Sequence, residues 1–123
     1  MNIHTIILAA GKGTRMNTNL PKVMQPLGGM SLIEHVISTA QEISKKITVV
    51  IGHQKNLLKE HLAEIDPIIE TVNQENQLGT AHAVKTASHL IQDDEKVLIL
   101  YGDVPLISNK TIQSLLDLSL IHI

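Results

Sequence analysis

The residues of this chain whose types and spacing suit chemistry are three cations, a pair of glycines and one carboxylate. The stretch Leu8-Ala9-Ala10-Gly11-Lys12-Gly13-Thr14-Arg15 follows a short apolar run, Ile6-Ile7-Leu8, and places small residues and two cations in the turn after it. Gly11 and Gly13 lack a Cβ, so backbone N–H groups there can come close to an anion and adopt positive φ. Lys12 supplies a point charge and Arg15 a planar fork that grips phosphate through two hydrogen bonds. Leu20-Pro21-Lys22 adds a third cation on backbone that proline stiffens. Three cations around a glycine turn suit a triphosphate. Far downstream, Tyr101-Gly102-Asp103-Val104-Pro105 sets one carboxylate at the end of another apolar run. Mg²⁺ takes one or two carboxylates and keeps waters and phosphate oxygens as its other ligands, so Asp103 suits such a site.

Each motif has a simpler structural reading. The first loop is neither a P-loop, since no Gly-Lys-Ser/Thr closes it, nor the dinucleotide fingerprint, since its third glycine is missing. A tight strand-to-helix turn explains it as well. Asp103, flanked by Gly102 and Pro105, can simply form a turn. Gln74 and the run Gln77-Leu78-Gly79-Thr80 have amides that can read a base edge, but Gly79 as a turn and Thr80 as a helix cap is the plainer account.

The elements that must position these residues alternate. Ile3 to Leu8 reads as a first strand, apolar on both faces. Val23 to Leu27 and a Gly28-Gly29 turn come next, and then Ser31 caps a helix to about Ile43 with Leu32, Ile33, Val36, Ile37 and Ala40 on one stripe. Ile47 to Ile51 is a second strand ended by Gly52. A short helix over Leu57 to Ala63 is broken at Asp66-Pro67 before a third apolar run, Ile68 to Val72. Thr80 to Leu90 suits a helix with Ala83, Val84, Ala87 and Leu90 inward, Val97 to Tyr101 a fourth strand, and Asn109 to about Leu116 a last helix. This alternation predicts an α/β fold: a Rossmann-like, three-layer, mostly parallel sheet with right-handed crossovers and ligands beyond the strand C-termini. If the first and fourth strands are neighbours at the switch point, the cations and Asp103 meet over one cleft.

Four stretches in order carry a resemblance over about residues 3 to 117: Ile7 to Met16, Leu20-Pro21-Lys22, Gln77 to Ala83 and Leu100 to Ile107. The chain resembles the sugar-1-phosphate nucleotidyltransferases, and within them the uridylyltransferase domain of the bifunctional bacterial N-acetylglucosamine-1-phosphate uridylyltransferases/glucosamine-1-phosphate acetyltransferases. The resemblance implies transfer of UMP from UTP to N-acetylglucosamine 1-phosphate, with Mg²⁺ on Asp103 and with Arg15 and Lys22 as the catalytic cations. It implies that Leu8, Ala9, Ala10, Gly11, Lys12, Gly13, Lys22, Gln74, Gly79, Thr80, Tyr101, Gly102 and Asp103 bind the nucleotide, Gln74, Gly79 and Thr80 on uracil and ribose. Asn76 stands where a glutamate is common in the family. A homotrimer formed through a C-terminal left-handed β-helix, a second metal ligand and the sugar-binding residues belong to later parts of such proteins, so residues 1–117 are expected to be the N-terminal part of the nucleotidyltransferase domain. Residues 118–123, Leu-Ser-Leu-Ile-His-Ile, resemble the translation of a transposon-end sequencing adapter and are expected to be a non-native tail. Two alternatives remain open: another NTP:sugar-1-phosphate nucleotidyltransferase, or a fragment that binds nucleotide without catalysis.

Bulk properties bound the remaining classes. The chain has 123 residues, 43% of them hydrophobic, with one tyrosine and no Phe or Trp, so the core is aliphatic. A net charge of −2 argues against a sequence-independent nucleic-acid binder. There is no cysteine, hence no disulfide or thiolate metal site. No signal peptide or membrane-length apolar run is visible, and a soluble cytoplasmic domain is expected. The seven histidines match no zinc spacing, and His35 and His82 read as packed or surface residues. Glu60, Glu64, Asp93, Asp94 and Glu95 read as solvated charges.

Overall fold

The computed structural model describes residues 2–10, 21–52, 55–74 and 79–104. Strand β1 is Ile3–Leu8; after a 3-10 turn at Lys22–Met24, β2 (Pro26–Leu27) and β3 (Met30–Ser31) form a small antiparallel hairpin. Helix α1 (Leu32–Ile43), β4 (Lys46–Ile51), α2 (Lys55–Ile65), β5 (Glu70–Asn73), α3 (Thr80–Ala87), a 3-10 turn (Ser88–Leu90) and β6 (Lys96–Tyr101) follow.

The four long strands form one sheet in the order β5-β4-β1-β6, every neighbouring pair parallel. Strand β1 is central because both of its faces are apolar enough to be covered: Ile3 and Ile7 join one core, Ile6 the other. The first core packs Ile33, Val36, Ile37 and Ala40 of α1, and Leu58 and Leu62 of α2, onto Ile7, Val49 and Leu100. The second packs Ala83 and Ala87 of α3 onto Ile6, Val50 and Val97. The crossovers through α1 and α2 therefore lie on one face and that through α3 on the other. The winding reverses between β1 and β6, and that is where a doubly wound sheet opens a crevice for ligands.

Local signals act as the sequence suggests. Gly28 and Gly29 take φ of 62° and 89° in the hairpin turn, a conformation that costs other residues strain. Ser31 caps α1, its side chain accepting from the Glu34 amide. Boundaries move where packing outweighs pattern. Helix α2 begins at Lys55 rather than Leu57 and runs past Ala63 to Ile65. Strand β5 starts only at Glu70, and Ile68, expected within the run, is 83% exposed beside a turn in which Asp66 Oδ1 accepts from the Ile68 amide. Gly79, not Thr80, is the N-cap residue of α3, at φ 100°, and the helix tightens into a 3-10 turn before Leu90.

Glu95 corrects an expectation outright. It is not a solvated charge: it is 5% exposed, its Oε1 accepts from the Gln92 amide at 2.8 Å, and the same atom lies 3.3 Å from Nδ1 of the fully buried His4. The other His4 nitrogen, Nε2, lies 2.6 Å from Thr48 Oγ1. A charge that enters a core must be paired and hydrogen-bonded, and Glu95 meets that condition with a histidine 91 positions away. The expected helix at Asn109 to Leu116 lies outside the described residues.

Candidate functional site at the strand C-termini

Parallel pairing brings the predicted site residues to one edge. In sheet order the ends of the strands are Gln74 after β5, Gly52 after β4, Ala9-Ala10 after β1 and Gly102-Asp103 after β6. They are tied together by main-chain bonds: Gln74 N to Ile51 O at 2.7 Å, Ala9 N to Val50 O at 2.9 Å and Gly102 N to Leu8 O at 3.0 Å.

Two glycines sit where that edge is most closely packed. A Cβ on Gly102 would stand 3.1 Å from Val23 Cγ1 and 3.3 Å from Leu8 O, so a side chain there would press on the Val23 side chain and the end of β1, which would have to give way. A Cβ on Gly52 would stand 3.2 Å from both Ala10 Cβ and Gln74 O. Gly52 was legible as the end of a strand but not as the point where β1, β4 and β5 converge.

The 3-10 turn delivers the cation. Val23 is buried beneath Gly102, which leaves its neighbour Lys22 at the surface, where Lys22 Nζ meets Asp103 Oδ2 at 3.1 Å. Both side chains keep access to water, at 54% and 32% relative exposure. Asp103 sits in the turn that the Val104 amide closes onto Tyr101 O at 3.2 Å. The turn reading of Asp103 and the metal reading are thus compatible, because the turn is what presents the carboxylate. Tyr101 is half exposed, Leu8 partly buried, and Ala9 and Ala10 buried beneath the edge.

At the β5 side, Gln74 is 5% exposed. Its Nε2 lies 2.9 Å from His82 Nδ1 and 3.4 Å from Gly79 O, so the amide is anchored to the first turn of α3. His82 therefore has a polar role that its sequence context did not signal. The structure thus unites Leu8, Ala9, Ala10, Lys22, Gln74, Gly79, Tyr101, Gly102 and Asp103 along one edge, with Thr80 as the first residue of α3. Gly11, Lys12, Gly13 and Arg15 lie outside the described residues.

The donor set fits Mg²⁺ of the kind held partly by substrate. Among the described residues no three His, Cys, Asp or Glu side chains stand together. One partly exposed carboxylate beside a lysine instead suits a cation whose remaining ligands are water and phosphate.

A parallel sheet with a switch point and a lysine-aspartate pair beyond it defines an α/β domain of the doubly wound kind, a fold that holds ligands at its strand ends. Residues 5–120 match the model of the MobA-like NTP transferase domain, and the chain belongs to that family. It is 45% identical over 115 residues to the Bifunctional protein GlmU of Thermotoga petrophila, covering 94% of this chain and 25% of that protein. The chain thus spans about a quarter of that relative's length. Rv0371c of Mycobacterium tuberculosis H37Rv superposes with a TM-score of 0.83 at 18% identity, over 96% of this chain and 60% of its own. A complex of that protein with manganese superposes at 0.77. A nucleotidyl transferase from Methanothermobacter superposes at 0.78 with 22% identity, over 94% and 57%. At these identities the structural likeness speaks for the fold alone. No helix among the described residues is long and apolar enough to cross a membrane.

Proposed function

We propose that this chain carries the nucleotide-binding part of a cytoplasmic uridylyltransferase that transfers UMP from UTP to N-acetylglucosamine 1-phosphate, yielding UDP-N-acetylglucosamine and pyrophosphate. The observation that carries the reading is the 3.1 Å pair of Lys22 and Asp103 at the switch point between β1 and β6. The 45% identity to a GlmU protein supports the choice of uridine and amino-sugar substrates over those of other sugar-1-phosphate nucleotidyltransferases.

In the proposed reaction a phosphate oxygen of the sugar phosphate attacks the α-phosphorus of UTP in line and the bond to pyrophosphate breaks. Such a step needs positioning and charge neutralisation more than covalent help. The close-packed edge at Gly102 and Ala9-Ala10 admits the nucleotide against the backbone. Lys22, free to leave Asp103 when a triphosphate arrives, offers its charge to the phosphates, and Arg15 and Lys12 add theirs. Asp103 would hold Mg²⁺, which when bound would supply further charge neutralisation. Gln74 and Gly79 face the base side of the edge.

Calorimetric titration of UTP into the purified chain, with and without Mg²⁺, tests this. Mg²⁺-dependent binding that Asp103→Ala abolishes is expected. A folded chain that binds UTP equally well with Asp103 removed would overturn the assignment of the metal.

A further inference from the structure

Val23 is the one residue of the Lys22–Met24 turn that is buried, at 7% exposure. A Cβ on Gly102 would meet Val23 Cγ1 at 3.1 Å, so this methyl already fills the space over Gly102 where a side chain would begin. The two residues in contact each adjoin a member of the ion pair: Lys22 precedes Val23, and Asp103 follows Gly102. The Asp103 side is fixed by main chain, because Gly102 N bonds to Leu8 O at 3.0 Å and Val104 N to Tyr101 O at 3.2 Å. On the Lys22 side, Met24 N to Pro21 O and Gln25 N to Lys22 O close the turn on itself, and Leu32 N to Gln25 O at 2.9 Å ties it to the start of α1. Val23 joins that turn to the end of β6 through Gly102.

The geometry points to Val23 as a positioning residue for Lys22: packed on Gly102, it sets the root of the lysine so that Nζ reaches both the Asp103 carboxylate and a phosphate bound beside it. The inference rests on the nucleotide reading above and deepens it. A lysine is a point charge on a flexible four-carbon stem, so where its charge dwells depends on where its Cα is held. A displacement of about 1 Å in a group that must meet a reacting phosphate is strongly felt. Valine is stiff at χ1, and a stiff side chain fixes the turn more closely than a flexible one. A valine that only filled the core would, when shortened, lower stability and leave the affinity of the folded chain unchanged.

Calorimetric titration of UTP, and separately of inorganic tripolyphosphate, each with Mg²⁺, tests this on the unsubstituted chain and on Val23→Ala, Val23→Thr and Val97→Ala. Urea unfolding and circular dichroism accompany each titration. Thr keeps the branched shape of valine but buries a hydroxyl, so it costs stability without moving the turn. Val97, fully buried near the opposite end of β6, supplies a matched truncation. Val23→Ala is expected to weaken both probes at least about fivefold, whereas Val23→Thr and Val97→Ala, though less stable, bind within about twofold of the unsubstituted chain. In a Lys22→Ala background, Val23→Ala should change affinity by less than about twofold, because the group it positions is gone. Should Val23→Ala fail to fold, Val23→Leu, which keeps apolar bulk but moves the branch, takes its place with the same expectation. Unchanged affinity in folded Val23→Ala, an equal loss in Val97→Ala, or a full loss that persists without Lys22 overturns the role of Val23. Tripolyphosphate binding without UTP binding overturns the uridine-nucleotide reading, and the tripolyphosphate series then decides the role of Val23. Binding of neither probe by the folded chain overturns both.

Discussion

Lys22 Nζ stands 3.1 Å from Asp103 Oδ2, joining the turn after Pro21 to the end of β6 across 81 positions of sequence. The pair lies at the surface, where an ion pair contributes only about 0–1 kcal/mol to stability, so its value to the fold is small. On the proposed function its consequence is electrostatic: Lys22 would exchange Asp103 for a phosphate, and Asp103 would exchange Lys22 for a metal.

The first prediction follows from that exchange. Lys22→Ala and Asp103→Ala should each change the thermal midpoint by no more than about 1 kcal/mol equivalent, yet both should weaken Mg²⁺-dependent UTP binding at least about tenfold. Melting curves and calorimetry on the same samples separate the two effects. A large loss of stability with binding intact would reassign the pair to the fold.

Gly102 and Gly52 yield a second prediction. Because an added Cβ at Gly102 meets the buried Val23 side chain at 3.1 Å and backbone at 3.3 Å, Gly102→Ala should cost about 1–3 kcal/mol in urea unfolding. Gly52→Ala, squeezed at 3.2 Å between Ala10 and Gln74 O, should cost a similar amount. Gly102→Ala should also shift the Lys22 turn, so nucleotide affinity falls with stability. Variants as stable as the unsubstituted chain would show that the edge yields more readily than its main-chain bonds imply.

A third concerns the cap of α1. Ser31 Oγ accepts from Glu34 N at 3.2 Å and lies 2.6 Å from His61 Nε2, so one hydroxyl serves both the helix start and its contact with α2. Ser31→Ala should cost about 1–2 kcal/mol, and Ser31→Asp, which keeps an acceptor, less than half of that. Equal losses in the two variants would remove the capping argument.

What sequence could and could not foretell follows from range. Runs such as Ile6-Ile7-Leu8, the Gly28-Gly29 turn and the Ser31 cap are local codes, and each is realised within a few residues of where it is written. Handedness and alternation are chain-wide rules that limit the winding without fixing which strands pair, so the neighbouring of β1 and β6 was legible only as a condition. The contact of the Gln74 amide with His82 and the convergence at Gly52 have no local code, because the histidine and the glycine look ordinary until the strand ends are brought together. The same holds at the opposite end of β1, where Glu95 looks like a surface charge and His4 is one of seven histidines that form no motif. Thr48 and Glu95 reach His4 only because β4 and β6 flank β1.

That buried pair sets the fourth prediction. Burial opposes the charge on Glu95, but the Gln92 amide, the hydrogen bond and attraction of His4 and the nearby Lys46 outweigh it, holding the carboxyl below its ordinary 4.5. A carboxyl with a depressed value in the folded state binds fewer protons there than in the unfolded chain, so stability rises with pH through that window. The contribution of Glu95 is complete above the unfolded value and is lost as pH falls through the folded one. Glu95→Gln keeps the shape but cannot ionise, and should lower stability at neutral pH by about 1–3 kcal/mol because His4 loses its carboxylate partner. The loss should shrink as the pH falls from about 5 downward, so that the two urea midpoints converge in acid. Midpoints that stay parallel over the whole range would mean that the Glu95 carboxyl titrates alike in the folded and unfolded chains, and that His4 and Gln92 hold its shape rather than its charge.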